Sequence, residues 1–321
     1  MLQQTTVTAV IPYYENFLRS FPSVQALAAA PVEAVMAAWA GLGYYARARN
    51  LHRCSQAVAE AGGFPADVAA LRALPGIGPY TATAIGAIAF GIPGVPVDGN
   101  VERVLARVFA ITDALPAAKP AIRAAAVALG EDGDAIARPS DFAQALFDLG
   151  ASLCTPAAPA CDVCPWMAGC AAHLQGIAAE LPRKAKKAER PHRHGVHFWL
   201  VDARENVLLR RRPPSGLLGG MTELPGSPWR DTDYTRAEAR HLAPMAATWR
   251  KIGVVRHGFT HFTLDITVYA ARVERIAAEG FSRPIAALDA EALPSVMRKC
   301  VRLIAAGETR TIEPAKPRRK K

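Results

Sequence analysis

Residues 74–107 read LPGIGPYTATAIGAIAFGIPGVPVDGNVERVLAR, a stretch that holds two predicted helices and the glycine- and proline-rich links before each of them. Gly76 and Gly78 predict a tight turn with exposed backbone N–H groups, because glycine adopts positive φ without steric cost. Pro79 suits the first turn of the helix that follows, where its missing N–H costs nothing. Free N–H groups at the start of a helix suit a phosphate. The stretch therefore predicts a hairpin of helices with an anion-binding turn.

Asp98 precedes the second of these helices, and the sequence Asp98-Gly99-Asn100 is typical of a helix N-cap. A capping role alone is one interpretation, and the local sequence favours it because capping aspartates are common. The other interpretation is catalytic, since the helix dipole and free N–H groups would hold a carboxylate ionised there. The other motifs of the chain shift the balance toward the catalytic role.

Composition limits the classes of protein to which the chain can belong. Its 321 residues suffice for two domains, and 51% of them are hydrophobic, which provides a sizeable core. No apolar run is long enough for a membrane span, and no secretory signal opens the chain. The formal net charge of +10 favours a polyanionic partner, although part of it lies in a basic tail that ends at Lys321. We expect a soluble cytoplasmic protein of bacterial type, associated with the nucleoid.

Four cysteines follow in the pattern C-x6-C-x2-C-x5-C: Cys154, Cys161, Cys164 and Cys170. A disulfide framework is typical of small secreted domains, and nothing in this sequence points to secretion. The pattern therefore predicts a metal site in a reducing compartment. Tetrahedral zinc and a 4Fe-4S cluster both accept four thiolates, and the spacing alone does not decide between them.

Hydrophobic periodicity divides the chain into two parts. Residues 1–173 are mostly helical in pattern, beginning with an apolar helix face. Residues 181–194 are basic and proline-containing, which is typical of a linker. Beyond them the period becomes two, so residues 195–305 predict a mixed α+β domain with a substantial sheet. The members of the first helix face are Val7, Val10, Ile11, Tyr14, Leu18 and Phe21.

Five segments, one of them within the stretch 74–107, resemble the MutY-type adenine DNA glycosylases of the helix-hairpin-helix, endonuclease III superfamily. The segments are MLQQT at 1–5, GLGYYARARN at 41–50, VDGNV at 97–101, PPSGL at 213–217 and FTHF at 259–262. The resemblance implies an all-α helix-hairpin-helix glycosylase domain over 1–180 with a 4Fe-4S module at 154–170. A linker over 181–194, an α+β MutT-like (Nudix-fold) domain over 195–305 and a basic tail over 306–321 complete the expected organisation. Residues 195–321 lack the clustered glutamates of a Nudix hydrolase.

The resemblance also implies an activity. Such enzymes bind double-stranded DNA, flip out adenine mispaired with 8-oxoguanine or guanine, and hydrolyse its N-glycosidic bond. Asp98 would stabilise the developing sugar cation, with Asn100 as its partner. Tyr80 stands where related lyases carry a Schiff-base lysine, so we expect a monofunctional glycosylase. We further expect a monomer, without a membrane partner.

The resemblance assigns DNA contacts residue by residue. Gln4 and Tyr44 would fill the gap left by the flipped base, Gln144 would read the adenine edge, and residues 259–261 would read 8-oxoguanine. Alternatives remain: Tyr44 in the core, Gln144 facing solvent, and 259–261 as a plain strand. Thr260 keeps the hydroxyl of the serine found in many members and adds a methyl group. The full set is Leu2, Gln3, Gln4, Tyr44, Arg47, Gly76, Gly78, Gln144, Phe259, Thr260 and His261.

The main departure from the family pattern lies at Met1. The family's catalytic acid is a glutamate two residues before the methionine that matches Met1, and it is absent from this sequence. Either the start codon was assigned at an internal methionine, which we favour, or the protein is a truncated form that binds damage without cutting. As given, the chain is expected to lose a general-acid factor of roughly 10²–10⁴. The remaining alternative is an endonuclease III-like glycosylase, against which Tyr80 and the second domain argue.

Overall fold

A computed structural model describes residues 1, 6–185 and 189–311. The expected DNA contacts at Leu2, Gln3 and Gln4 lie outside the described residues, as do residues 312–321 of the basic tail. None of the described helices is long and apolar enough to cross a membrane.

The helices of the first half are α1 Val7–Ser20, α2 Val24–Ala29, α3 Val32–Trp39, α4 Ala46–Glu60, α5 Val68–Ala73, α6 Pro79–Phe90, α7 Gly99–Val108, α8 Lys119–Gly130, α9 Gly133–Ala137, α10 Pro139–Asp148 and α11 Ala171–Leu174. The second half contains β1 His192–Val201, β2 Asn206–Arg211, β3 Thr222–Glu223, α12 Arg236–His241, β4 Arg250–Gly258, β5 Thr263–Arg272, β6 Phe281–Pro284 and α13 Ser295–Thr311. Strand β1 thus begins inside the segment predicted as a linker.

The chain packs into two compact units, one of residues Met1–Gln56 with Glu189–Lys321 and the other of residues Ala57–Ala188. This division follows packing rather than chain order, and the domain boundaries expected from the sequence stay predictions.

Helices α5 to α11 form the unit of residues Ala57–Ala188. Their core is apolar, and α7 lies at its centre with Val101 and Leu105 fully buried. Pro79 occupies the first turn of α6 and Asp98 caps α7, as the sequence predicts. The glycine turn before α6 therefore ends at a proline that starts the helix, and the proline-rich segment before α7 ends at the residue that caps it.

The amino-terminal helices of the other unit form around aromatic side chains. The Phe17 ring lies 4.8 Å from the Phe21 ring and 6.1 Å from the Trp39 ring, both edge to face. These contacts set which side of α1 faces inward, so Val10 and Phe17 are buried. The predicted apolar face is wrong in part: four of its members are about half exposed or more, namely Val7, Ile11, Tyr14 and Leu18.

The sheet of the same unit has the strand order β3-β2-β1-β5-β4, with β6 paired to β2. Strands β1 and β5 run parallel, from His192 opposite Thr263 to Val201 opposite Arg272. Strand β5 alternates buried and partly exposed positions, whereas β1 is buried on both faces from Gly195 onward. Helix α13 covers the sheet with Val296, Met297, Cys300 and Ile304 in the core. The predicted mixed α+β part is thus present.

Candidate active site and nucleic-acid interface

Asp98 caps α7 with one carboxylate oxygen and leaves the other available to a ligand. Its Oδ1 accepts the backbone N–H groups of Asn100 and Val101, each at 2.8 Å. Within the described part of the chain, Oδ2 accepts no hydrogen bond, and the residue is half-buried. Cap and catalytic interpretation are therefore compatible, because one oxygen satisfies the helix end and the other is left for a ligand.

Asn100 links this helix end to a buried arginine. Arg103 Nη2 donates to Asn100 Oδ1 at 3.0 Å and to the carbonyl of Gly150 at 2.6 Å, while its Nε donates to the carbonyl of Cys154 at 2.7 Å. Burial lowers the pKa of Arg103, and the charges of Cys154 and Asp98 oppose that shift. Asp98, Asn100 and the start of the cysteine loop are thus tied to one side of α7.

Arg107 continues this row one turn further along α7. It is 1% exposed, and its guanidinium donates to the carbonyls of Leu181, Thr155 and Pro156 at 2.7 to 3.0 Å. Its Nη1 also lies 3.3 Å from Cys154 Sγ. Sequence reasoning missed both arginines. The available signal was their spacing of four residues on a helix with an apolar face, which puts them on the same side.

The four cysteines line one small apolar cavity, joined by Arg107 and His173 as the polar side chains of its wall. No group of three or more histidine, cysteine, aspartate or glutamate side chains in the described ranges is drawn together as a metal-binding set. Burial raises the pKa of the Cys161 thiol, and the three other cysteines add to the shift. Four sulfurs around one cavity with a buried cation beside them suit a metal or cluster held by thiolates.

The hairpin before α6 takes the expected form in part. Gly76 adopts φ +77°, a conformation that favours glycine, whereas Gly78 has φ −86° and caps α6. Tyr80 stands in the first turn of α6, and its ring lies 6.1 Å from that of Phe147, edge to face. Only Gly76 therefore needs the positive φ expected of the turn.

Gln144 lies exposed on α10 and folds back on its own helix. Its Nε2 donates to the carbonyl of Ser140 at 3.3 Å and to Ser140 Oγ at 3.1 Å. The side chain faces solvent, as the alternative interpretation had it, and its amide is free to rotate toward a ligand at small cost because these bonds are exposed. Its assignment to adenine stays a prediction.

Tyr44 and the 259–261 loop meet within the unit that contains both. Tyr44 Oη lies 3.1 Å from Thr260 Oγ1, across 216 positions of sequence. Tyr44 is 50% exposed and has φ +48°, whereas its neighbour Tyr45 is buried. A tyrosine in the left-handed region costs backbone energy and is typical of functional loops. The core interpretation therefore fits Tyr45, and Tyr44 is the exposed ring.

The neighbouring contacts define the rest of this loop. The backbone N–H of Phe259 donates to the carbonyl of Phe262 at 2.8 Å, which closes a tight turn with Thr260 and His261 exposed at its tip. The 259–261 segment is thus a turn between β4 and β5 and not a plain strand. Arg47 lies with its guanidinium carbon 6.0 Å from the Trp39 ring.

Comparison with known proteins gives the family. The model of the HhH-GPD superfamily base excision DNA repair proteins matches residues 1–128, and the NUDIX domain model matches residues 196–303. The adenine DNA glycosylase of Buchnera aphidicola subsp. Schizaphis graminum is 30% identical over 276 residues, which is 83% of this chain and 76% of that protein. The chain belongs to the adenine DNA glycosylase family. The predicted fold class is confirmed: a helix-hairpin-helix glycosylase part followed by a Nudix-fold part.

Two other similarities complete the comparison. The human adenine DNA glycosylase is 34% identical to this chain over 333 residues. The match covers 85% of this chain and 60% of the human protein. A solved structure of a thermostable thymine-DNA glycosylase is 26% identical, with a TM-score of 0.46 over 54% of this chain and 80% of that one. This adenine DNA glycosylase family member therefore spans about three fifths of its human relative.

Proposed function

We propose that the chain removes adenine paired with 8-oxoguanine, or with guanine, from double-stranded DNA by flipping the adenine and hydrolysing its N-glycosidic bond. The observation that carries this proposal is the carboxylate of Asp98, with Oδ1 held by two backbone N–H groups and Oδ2 without a hydrogen bond in the described structure. The family to which the chain belongs gives the substrate class.

The chemistry follows from that arrangement. As the bond between sugar carbon C1′ and the base breaks, its electron pair leaves with adenine and positive charge develops on the sugar. The carboxylate of Asp98, at the start of α7, stabilises that charge. Water then adds to C1′ and releases a proton, while adenine takes up a proton. In the family pattern, the donor of that last proton is a glutamate.

Hydrolysis without strand cleavage is the second part of the proposal. Tyr80 occupies the position where related lyases carry a lysine, and a phenol forms no imine with the sugar. Its ring packs edge to face against the Phe147 ring, which is a packing role. We therefore propose an abasic site as the product.

DNA recognition divides over several surfaces. The backbone N–H groups at Gly76 and Gly78 would suit a phosphate, and Arg47 would add a cation. Tyr44 would fill the gap in the duplex, and Phe259, Thr260 and His261 would read 8-oxoguanine. The contact between Tyr44 and Thr260 supports this, because it puts the proposed wedge beside the proposed reading turn. Gln4, Leu2, Gln3 and Gln144 complete the proposed contacts.

We also propose that Cys154, Cys161, Cys164 and Cys170 hold a 4Fe-4S cluster. The cluster would supply cross-links that hold the 154–170 loop together, and the donor set of four thiolates fits it. Arg107 would orient that loop through its three backbone carbonyls. Thiolate ligation is consistent with the reducing cytoplasm, where we propose the protein acts on the nucleoid as a monomer.

The test is a pair of assays on one set of duplexes that differ only at the mispair. Fluorescence anisotropy measures affinity for duplexes with A opposite 8-oxoguanine, guanine or thymine, and alkali treatment reveals abasic product. Preference for A:8-oxoguanine with abasic product supports the proposal. Preference for the A:8-oxoguanine duplex without any abasic product supports a protein that binds damage and does not cut. Equal affinity for all three duplexes rejects the proposed substrate.

A further inference from the structure

Behind the 259–261 turn lies a tryptophan that belongs to none of the sequence motifs. The Trp229 ring lies 5.6 Å from the Phe259 ring at 33°, and 6.2 Å from the Phe262 ring at 54°. The two phenylalanine rings stack on each other at 4.7 Å and 29°. Both ends of the turn thus rest on one half-buried indole.

The indole is held by a histidine in the sheet. Trp229 Nε1 lies 3.4 Å from His197 Nε2, and His197 Nδ1 lies 2.9 Å from the carbonyl oxygen of Leu224. Because an indole N–H only donates and a carbonyl only accepts, the imidazole is neutral, with its proton on Nδ1. His197 has no exposed surface, and burial lowers its pKa, which agrees with a neutral ring.

Two further residues, Arg212 and Gly195, lie next to the indole. The Arg212 guanidinium carbon lies 5.1 Å from the Trp229 ring, and Arg212 Nη1 pairs with the buried carboxylate of Glu223 at 2.6 Å. Gly195 on β1 leaves the space the ring occupies, since a Cβ there would lie 2.6 Å from Trp229 Cδ1. A larger residue at 195 must therefore move the indole.

We infer that Trp229 and His197 are positioning residues that set the place of the 8-oxoguanine-reading turn. The inference rests on the proposed function. Neither residue reaches the tip of the turn; His197 orients Trp229, and Trp229 supports Phe259 and Phe262. A base reader of this kind depends on placing one hydroxyl within hydrogen-bond distance of the base. A shift of the turn therefore lowers discrimination of 8-oxoguanine from guanine more than it lowers duplex affinity.

The experiment measures the ratio of affinities for A:8-oxoguanine and A:guanine duplexes by fluorescence anisotropy, with thermal unfolding monitored in parallel. Trp229→Phe keeps an aromatic ring and removes the N–H, and Gly195→Ala displaces the ring. His197→Leu removes the acceptor, whereas His197→Gln restores an oxygen that accepts from the indole. We expect the ratio to fall about tenfold in the first three variants and to recover largely in His197→Gln.

Trp249→Phe is the matched control. Trp249 also packs on β1, 5.0 Å from the Phe198 ring, and donates to the carbonyl of Met245, but it does not contact the turn. An unchanged ratio in folded Trp229→Phe protein, or an equal loss in Trp249→Phe, would overturn the inference. Should His197→Leu fail to fold, Trp229→Phe decides the matter. A wild-type protein without preference for 8-oxoguanine rejects the proposed function itself and the inference with it.

Discussion

Tyr44 Oη and Thr260 Oγ1 lie 3.1 Å apart, which joins the proposed wedge to the proposed reading turn by one exposed hydrogen bond. The two side chains are exposed at one place on the protein. We therefore expect the proposed insertion of the Tyr44 ring and the proposed reading by the Thr260 hydroxyl to be coupled, because each group would leave the other when it engages a base.

The ring of Tyr44 is expected to increase affinity for the mispaired duplex, and its hydroxyl group to decrease it slightly. Tyr44→Ala removes the stacking surface and should weaken binding to an A:8-oxoguanine duplex by about tenfold, in line with one base–aromatic contact. Tyr44→Phe keeps the ring and frees Thr260, so its affinity should equal or exceed that of the wild type by about twofold, the worth of a weak exposed hydrogen bond. Anisotropy titrations measure both, and Tyr14→Phe on α1 is the control. Equal losses in both Tyr44 variants would contradict the prediction.

Asp98→Asn should separate catalysis from folding. Asparagine caps a helix as well as aspartate does, so the melting temperature should hold while the charge opposite the sugar disappears. Adenine release should fall on the order of 10²–10³-fold with duplex affinity nearly unchanged. Single-turnover kinetics measure this in protein that includes any residues encoded upstream of Met1. Asp67→Asn is the matched control, since Asp67 caps α5 through the N–H of Ala70. Retained turnover would remove Asp98 from the mechanism.

Arg107→Met should destabilise the protein strongly. The variant removes the donor from one buried and two partly buried carbonyl oxygens, which costs about 3 kcal/mol of unfolding free energy. Chemical denaturation measures the loss. Arg138→Met serves as the control, because Arg138 is exposed and pairs with Asp141 on the surface, where an ion pair contributes about 1 kcal/mol at most. Similar losses in the two variants would show that burial of Arg107 adds nothing.

The metal content distinguishes the two cysteine interpretations. Protein purified without oxygen should be brown, with broad visible absorption and equal amounts of iron and acid-labile sulfide. Cys164→Ser should lose both iron and colour, whereas Cys300→Ser, a buried cysteine of the sheet unit, should keep them. Colourless wild-type protein that contains zinc would refute the iron–sulfur assignment.

Acid should destabilise the fold through His197. Its native pKa lies below the usual value because of burial, although Glu223 opposes the shift, so the unfolded chain binds more protons below about pH 6.5. Stability should therefore fall as the pH drops, by up to about 1.4 kcal/mol per pH unit for this group. Urea denaturation between about pH 8 and pH 5.5 measures the slope, which His197→Gln should reduce and exposed His241→Gln should not. An unchanged slope in His197→Gln would count against a buried neutral histidine.

Local signals in the sequence predicted much of the fold. Pro79 and Asp98 stand at helix starts because their backbone preferences are local, and the alternation in β5 reflects one buried face. The cysteine spacing also brought four sulfurs to one cavity, since seventeen residues can hardly hold them apart. These features depend on neighbours a few positions away.

The remainder depends on contacts between distant residues. The contact between Phe17 and Trp39 determines which face of α1 is buried. Hydrophobic periodicity alone does not show that Phe17 is buried while Val7 and Ile11 are exposed. The burial of Arg107 requires the carbonyls of a loop nearly fifty positions away. Trp229 lacked a motif altogether, because its role arises only when β1 and the 259–262 turn lie on either side of it.

The side chains of Met221 and Ala292 share one core with Phe17, Trp39 and the other amino-terminal aromatics. The second half of the chain therefore cannot be exchanged for that of another protein without changing this core. A hybrid that received this half from another protein would place foreign atoms against the first helices and open voids there. Recombination between relatives would succeed only if both segments, at opposite ends of the chain, were inherited together.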